Sequence, residues 1–322
     1  MTSHAPLPRR IGVLLNPLSG RGRRNLPRFY LLLQQLPGAS ITEVRTPEEI
    51  DQAIAQWQLT EDDMLLVVGG DGTLQAALTS LLRRADASLP KVQVAPAGTT
   101  NMSANAIGVR GNPCKSVKAL VHWLQRGGTA PLLRPTAVLQ VLDNHTGHVQ
   151  CGMFFGAGAI VAGVRYFHER VRPTGLQGVL GPLTAFARML LALFSRNSQR
   201  LLPTVNARIQ FNGRDREAPW LVLLATTLDK LLLGSTPFWG AEPAPLRLTA
   251  IAKTPAQLCW SLPAVLRARP NAAMRTDLGY LSHNVDAVRL EQLREYLLDG
   301  EIFTASGPLA LTASRPVQFI IP

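Results

Sequence analysis

The sequence is poor in the residues that staple small domains or hold metals. It has three cysteines, Cys114, Cys151 and Cys259, odd in number, far apart and without a CxxC pair. A disulfide framework or a cysteine-based zinc site is therefore excluded as an organising feature. Six histidines are scattered, with no HExxH-like spacing, and no metal ligands are assigned. No uninterrupted apolar run approaches the roughly 18 residues that a spanning helix needs. The first apolar stretch, Ile11–Leu15, is too short for a signal-peptide core, so the expected location is cytoplasmic. Aromatics are only 6% of the chain and no basic–aromatic pattern occurs, so nucleic acid is not an expected partner. Acids are scarce, 21 against 33 basic residues, and lysine is scarcer still: five lysines accompany 28 arginines, for a net charge of +12.

What remains is apolar. With 46% hydrophobic and 17% charged residues, the chain is not a disordered tail. Its 322 residues are enough for two domains, each with a sizeable core. The arginines cluster. Six fall between Arg9 and Arg28 with no acid, and nine between Arg165 and Arg216 against Glu169 and Asp215. Such clusters are either a solvated surface or an attraction to phosphate groups, on a nucleotide or on an anionic membrane.

Along the chain, short apolar runs at Ile11–Leu15, Ile41–Val44, Met64–Val68 and Val92–Ala95 read as buried strands. Segments from Leu26 to Leu36, Pro47 to Gln58, Leu74 to Arg84 and Ser116 to Gln125 read as helices between and after them. The second helix has a full start signal, with Thr46 as cap, Pro47 in the first position and Glu48 and Glu49 in the first turn. Repeated strand–loop–helix units predict an α/β domain with a mostly parallel sheet, whose ligands bind at the carboxyl ends of the strands. Near Gly127-Gly128 the texture changes to short alternating segments separated by turns, which predicts a β-sandwich. The expected division is residues 1–132, with 310–322 returning to them, and residues 133–309. Leu290 to Leu298 reads as a helix-like segment. Leu183 to Phe194, apolar except for Arg188 and flanked by Arg196 and Arg200, reads as a buried helix or as a segment lying on a membrane.

Three strands end in loops rich in glycine and small hydroxyl residues. Glycine lets a backbone approach a ligand and leaves successive N–H groups aimed at an anion. The sharpest loop is Gly69-Gly70-Asp71-Gly72-Thr73, between a buried strand and a helix start at Leu74. There the helix N-terminus favours phosphate, and a lone carboxylate can hold magnesium or orient a hydroxyl. Asn16-Pro17-Leu18-Ser19-Gly20 and Pro96-Ala97-Gly98-Thr99-Thr100-Asn101 are weaker versions of the same pattern. Asp299-Gly300 by itself is a turn signal.

Together, NPLSG at 16–20, GGDGT at 69–73, PAGTTN at 96–101 and DGE at 299–301 resemble, in order and spacing, the diacylglycerol kinase catalytic-domain family. The resemblance covers nearly the whole chain. GGDGT alone is shared with NAD kinases, while the other three elements favour lipid kinases. The resemblance implies an N-terminal α/β nucleotide domain, a C-terminal β-sandwich, and a last strand near Val317–Ile321 returning to the first domain. It implies that Asn16, Pro17, Ser19, Gly20, Thr46, the stretch Gly69 to Leu74 (Gly69, Gly70, Asp71, Gly72, Thr73, Leu74), Thr99 and Asn101 contact the nucleotide. It implies that Glu301 accepts the proton of a lipid hydroxyl.

On this reading the chain is an ATP- and Mg2+-dependent lipid kinase with Glu301 and Asp71 as catalytic residues. Its acceptor is a diacylglycerol-like lipid at an anionic membrane surface, which the chain approaches peripherally, and a homodimer is compatible with it. A kinase of a soluble hydroxyl compound such as NAD, or a nucleotide-binding relative without catalysis, are the other readings. The shared GGDGT keeps the first of these open, and two departures from the family pattern motivate the second. Glu242-Pro243-Ala244-Pro245 stands where bacterial members carry an Asp-Asp-Gly metal element, and Gly156-Ala157-Gly158-Ala159 lacks the acid that often follows the glycine.

Overall fold

The computed structural model describes residues 3–20, 22–84, 88–98, 101–109, 111–126, 131–166, 169, 203–231 and 234–321. The apolar segment Leu183 to Phe194 lies outside them, as do five of the nine arginines between Arg165 and Arg216. The chain divides into two compact units, residues 1–138 with 315–322, and residues 139–314.

The first unit opens with β1 (Ser3–His4) and β2 (Ile11–Leu15), followed by α1 (Gly22–Leu33), β3 (Ala39–Glu43), α2 (Pro47–Trp57), β4 (Met64–Gly69) and α3 (Asp71–Arg83). Then come β5 (Lys91–Pro96), α4 (Met102–Ala106), α5 (Pro113–Arg126), β6 (Leu132–Thr136) and, from the end of the chain, β18 (Val317–Ile321). The strands form one sheet in the order β1-β6-β18-β5-β4-β2-β3. The five strands from β18 to β3 run parallel, while β6 and β1 are antiparallel additions at one edge. Every residue of β2 and β4 is buried, as continuous apolar runs in a two-sided parallel sheet require. Ile11, Val13, Leu15, Met64, Leu66 and Val68 share one core with Phe29 and Leu33 of α1 and Val117 and Leu120 of α5. On the opposite face, Gly12 leaves room for the Trp57 ring of α2, which would lie 2.5 Å from any Cβ at that position. The α2 start is a capping box: the Glu49 N–H donates to Thr46 Oγ1 while the Glu49 carboxylate accepts from the Thr46 N–H. β6 belongs to this sheet through pairing with β18, so the division falls after Val138 rather than after residue 132.

At the amino end of β2, Arg10 makes a two-pronged pair with the buried Asp63, with 2.6 Å between Nη2 and Oδ2. Arg9 pairs with Asp62 at 3.2 Å. Two of the six N-terminal arginines are thus tied at the strand end opposite the loop Asn16–Gly20, roughly 17 Å away along five residues of strand.

The second unit contains β7 (Leu139–Asp143), β8 (Val149–Gly152), β9 (Phe154–Gly158), α6 (Ala159–Tyr166), β10 (Val205–Phe211) and β11 (Arg214–Thr226). It continues with β12 (Leu246–Ala252), α7 (Leu258–Leu266), β13 (Tyr280–Val285), β14 (Ala287–Glu291), β15 (Glu295–Leu298), β16 (Glu301–Thr304) and β17 (Leu309–Ala313). Its strands form an 11-stranded antiparallel sheet, in the order β16-β15-β9-β11-β10-β14-β17-β7-β8 with β12 and β13 branching from β11. The branch point is physical. β11 is 13 residues long; its first half pairs with β10 and its second with β9 and β12, across a bulge between Trp220 and Val222. A bulge bends and twists a strand, which curls the sheet around a shared core. That core takes Val141, Phe155, Ile209, Trp220, Leu248, Leu281, Leu290 and Leu311 from eight different strands. The segment Leu290 to Leu298 is not helical. Gln292 takes a left-handed φ of 66°, which ends β14, and Glu295–Leu298 then pairs with β9 and β16.

Buried Asp143 closes the turn between β7 and β8. Its carboxylate accepts from the N–H groups of His145 at 2.9 Å, Thr146 at 3.3 Å and Ser306 at 2.7 Å. Burial opposes ionisation there, but these donors outweigh it and hold the carboxyl below its ordinary value. A depressed native pKa contributes stability above the unfolded value, lost as pH falls. The wild type should therefore exceed Asp143→Asn in unfolding free energy at pH 7, and the gap should close as pH drops below about 4. Chemical denaturation at several pH values measures both.

Candidate active site

The three special loops lie at the carboxyl ends of β2, β4 and β5, adjacent in the sheet. Hydrogen bonds knit them together. Asn16 Nδ2 donates to Thr73 Oγ1 at 2.9 Å, while Asn16 Oδ1 accepts from the Leu18 N–H at 2.9 Å. Pro17 and Ser19 are buried beneath this turn, and Gly20 is exposed. The Ala97 N–H donates to the Gly69 carbonyl at 2.8 Å. Gly70 and Gly98 pack backbone on backbone: a Cβ on Gly98 would stand 2.6 Å from the Gly70 Cα. Glycine is required at 98, while a Cβ on Gly70 would lie 3.2 Å from the Gly98 Cα, a tight approach. A Cβ on Gly69 would meet the Thr73 side chain at 2.5 Å.

α3 begins at Asp71 with Gly70 as cap, and its first helical bond runs from the Leu74 N–H to the Gly70 carbonyl at 3.1 Å. The N–H groups of Asp71, Gly72 and Thr73 thus lie in the first turn, where no intrahelical acceptor exists. Leu74 is buried and anchors the turn. With the helix dipole, this turn is an anion-binding geometry.

Asp71 points elsewhere. Its Oδ2 accepts from the Met102 N–H and its Oδ1 from the Ser103 N–H, each at 3.0 Å. These are the first two residues of α4, whose cap Asn101 is buried in a left-handed conformation with φ of 48°. Asn101 Nδ2 in turn donates to the Gly98 carbonyl at 3.0 Å. Burial pushes the Asp71 carboxyl up from its ordinary value, and the two N–H donors oppose that push. Read from sequence as a metal or phosphate residue, Asp71 is engaged as the brace between the second and third loops. Each Asp71 oxygen thereby gives one of its two lone pairs to a backbone donor. Among the described residues no group of three or more His, Cys, Asp and Glu converges on one point. Thr99 lies outside the described residues. Thr46 is exposed, with its hydroxyl accepting from the Glu49 N–H.

In the second unit, Asp299 and Gly300 form the two-residue turn of the β15–β16 hairpin, both with positive φ, 49° and 98°. Asp-Gly is the pair such a tight turn favours. Asp299 does more than turn. Only 4% exposed, its carboxylate accepts from the Met153 N–H at 2.9 Å and the Phe154 N–H at 2.9 Å, which locks the turn onto the start of β9. Glu301 opens β16 opposite Leu298 and is exposed. The DGE element therefore separates into a buried anchor, a left-handed glycine and an outward carboxylate. The apolar–Asp-Gly–apolar pattern carried enough signal for a hairpin. Nothing in it marked Asp299 as the anchor.

Glu242, at the place of the absent Asp-Asp-Gly element, is committed within the protein. Its Oε1 contacts His283 Nδ1 at 2.5 Å and its Oε2 accepts from the Asn284 N–H at 2.9 Å. Against the desolvation of partial burial, these partners hold its carboxyl down to about 2.

Known proteins resemble this chain in both sequence and fold. Residues 10–128 match the family model of the diacylglycerol kinase catalytic domain. The mitochondrial acylglycerol kinase of Mus musculus is 32% identical over 220 residues, 64% of this chain and 47% of that protein. Its Homo sapiens counterpart is 33% identical over 127 residues, 37% of this chain and 30% of that protein. The chain thus spans less than half the length of these relatives. The crystal structure of a diacylglycerol kinase from Bacillus anthracis str. Sterne superposes with a TM-score of 0.60 at 14% identity, over 97% of both chains. A second structure from that organism gives a TM-score of 0.67 at 15% identity, again over 97% of both. At such identities the likeness is one of fold, and it spans the parallel and the curled antiparallel unit alike. The match to the diacylglycerol kinase catalytic domain thus lies over the three braced loops, within residues 10–128.

Proposed function

We propose that the protein is an ATP-dependent lipid kinase acting on an acylglycerol or a related lipid alcohol. The observation that carries this reading is the set of three braced loops at the carboxyl ends of β2, β4 and β5, with the α3 N-terminus at their centre. The N–H groups of Asp71, Gly72 and Thr73 hold the nucleotide phosphates, with Asn16 and Ser19 lining the first loop. Asp71 acts by fixing α4 and the third loop. Magnesium, bound through the nucleotide, would supply charge neutralisation at the phosphates.

In the transfer, the lipid hydroxyl oxygen bonds to the γ-phosphorus as the bond from that phosphorus to the bridging oxygen breaks. ADP leaves with that electron pair. The hydroxyl proton passes to the Glu301 carboxylate. Catalysis of this kind is mainly positioning and charge stabilisation. The acylglycerol preference rests on the names of the curated relatives. The approach to a bilayer is read as peripheral; among the described residues no helix is long and apolar enough to cross one.

The test is labelled ATP offered with diacylglycerol, monoacylglycerol, ceramide, sphingosine and phosphatidylglycerol, with NAD as control. Label in an acylglycerol is the expected result. Label in NAD alone, or ATP binding without transfer to any acceptor, overturns the reading.

A further inference from the structure

α7 is built inside out for a helix facing water. Its sequence, Leu258 to Leu266, is apolar except for Ser261. Ser261 is fully buried, while neighbouring Trp260 is 84% exposed. Among the described residues the other exposed large hydrophobics reach 64% at most, and Trp123 and Trp220 are 5% exposed. Pro263, three residues on, is also exposed, so one apolar face of the helix points outward. The inner side is fixed: Val265 is buried in a cluster with Ile251, Met274 and Tyr280, against which Leu258 packs. Trp260 therefore projects from a rigid base.

The segments flanking this helix are cationic. From Lys253 to Arg275 the chain carries Lys253, Arg267, Arg269 and Arg275 and no acid. Arg275 is paired with Asp277 at 2.9 Å. Lys253, Arg267 and Arg269 are exposed, and no acid among the described residues forms an ion pair with them. An exposed indole on an apolar helix with basic flanks is the chemistry of a membrane–water interface, where Trp sits at headgroup level and each nearby cation gains from anionic lipid. A second copy of the chain fits less well, because a twofold self-contact would bring one set of cationic flanks against another.

We propose that α7 docks the second unit on an anionic bilayer, with Trp260 entering the headgroup region and Lys253, Arg267 and Arg269 facing lipid phosphates. This rests on the lipid-kinase reading for its choice of a bilayer as the partner.

The full-length chain is mixed, without ATP or acceptor lipid, with vesicles of phosphatidylcholine containing about one-third phosphatidylglycerol, and separately with phosphatidylcholine alone. Binding to the anionic vesicles that weakens with salt is expected. Trp260→Ala should weaken it about tenfold, the scale of removing one large apolar side chain from a buried site. Arg267→Ala and Arg269→Ala should each weaken it several-fold. Brominated acyl chains should quench the wild-type tryptophan fluorescence, and Trp260→Phe should lose most of that quenching. Unchanged vesicle binding by Trp260→Ala, quenching that survives Trp260→Phe, or no wild-type binding to anionic vesicles at low salt overturns the proposal. So does a dimer that Trp260→Ala converts to monomer, which would make this face a contact between copies. Because no phosphoryl transfer is measured, failure of the kinase reading leaves this result standing, and the reverse holds too.

Discussion

Glu301→Ala is expected to lower turnover by about 10²–10⁴-fold, the range that a positioned proton acceptor contributes. ATP binding and melting temperature should stay near wild type. The side chain is exposed at the first position of β16, and the strand pairing runs through its backbone. Its removal leaves no buried group without a partner. Glu301→Gln should lose turnover as severely, because an amide keeps the shape but takes no proton. Asp299→Ala separates the two acids of one short element. It removes a buried carboxylate from the N–H groups of Met153 and Phe154 and leaves both donors unsatisfied. Hydrogen bonds to a charged group contribute about 1.5–3 kcal/mol each, so a loss of several kcal/mol in unfolding free energy is expected, with activity falling alongside. Steady-state kinetics and calorimetry on both variants distinguish an acceptor from its anchor. A Glu301→Ala enzyme with wild-type turnover would remove Glu301 from the mechanism.

The contrast between these acids also shows what could be read from sequence. Patterns of burial were legible. The apolar runs of β2 and β4, the capping residues of α2 and the alternation in β10 report directly on which side of an element meets the core. The loops were legible as loops because glycine and proline interrupt those runs. What each loop side chain faces was not legible, because it depends on residues brought near by the fold. Asp71 and Met102 are 31 positions apart, and Asp299 and Met153 are 146 apart. Leu290 to Leu298 failed as a helix for a related reason. Its apolar content fits either period, and only the left-handed Gln292 and the pairing partners β9 and β16 decide for strands. The exposed Trp260 was hidden because hydropathy places α7 inside, whereas its one polar residue is the buried one.

The position of Asp71 leads to the second large effect. If this carboxylate held magnesium, its loss would weaken magnesium–nucleotide and leave metal-free nucleotide binding nearly intact. The hydrogen bonds to Met102 and Ser103 give a different expectation. Asp71→Ala unfastens α4 from the start of α3, and with it the third loop, whose Gly98 lies against Gly70. Nucleotide affinity should then fall at least tenfold with and without magnesium, since the backbone donors themselves are displaced. Unfolding free energy should fall by about 2–3 kcal/mol for the two charge-assisted bonds, which lie in a partly buried setting. Asp71→Asn retains one carbonyl acceptor and can hold one of the two N–H groups, so it should recover part of both losses. A residue acting through charge on a metal would gain nothing from the amide. Binding of a fluorescent nucleotide, measured in excess magnesium and in excess chelator for all three proteins, makes the distinction. Parallel losses in both conditions, partly restored in the asparagine variant, identify a brace. A loss confined to magnesium would return Asp71 to the metal, and the α4 contact would then be only its resting arrangement.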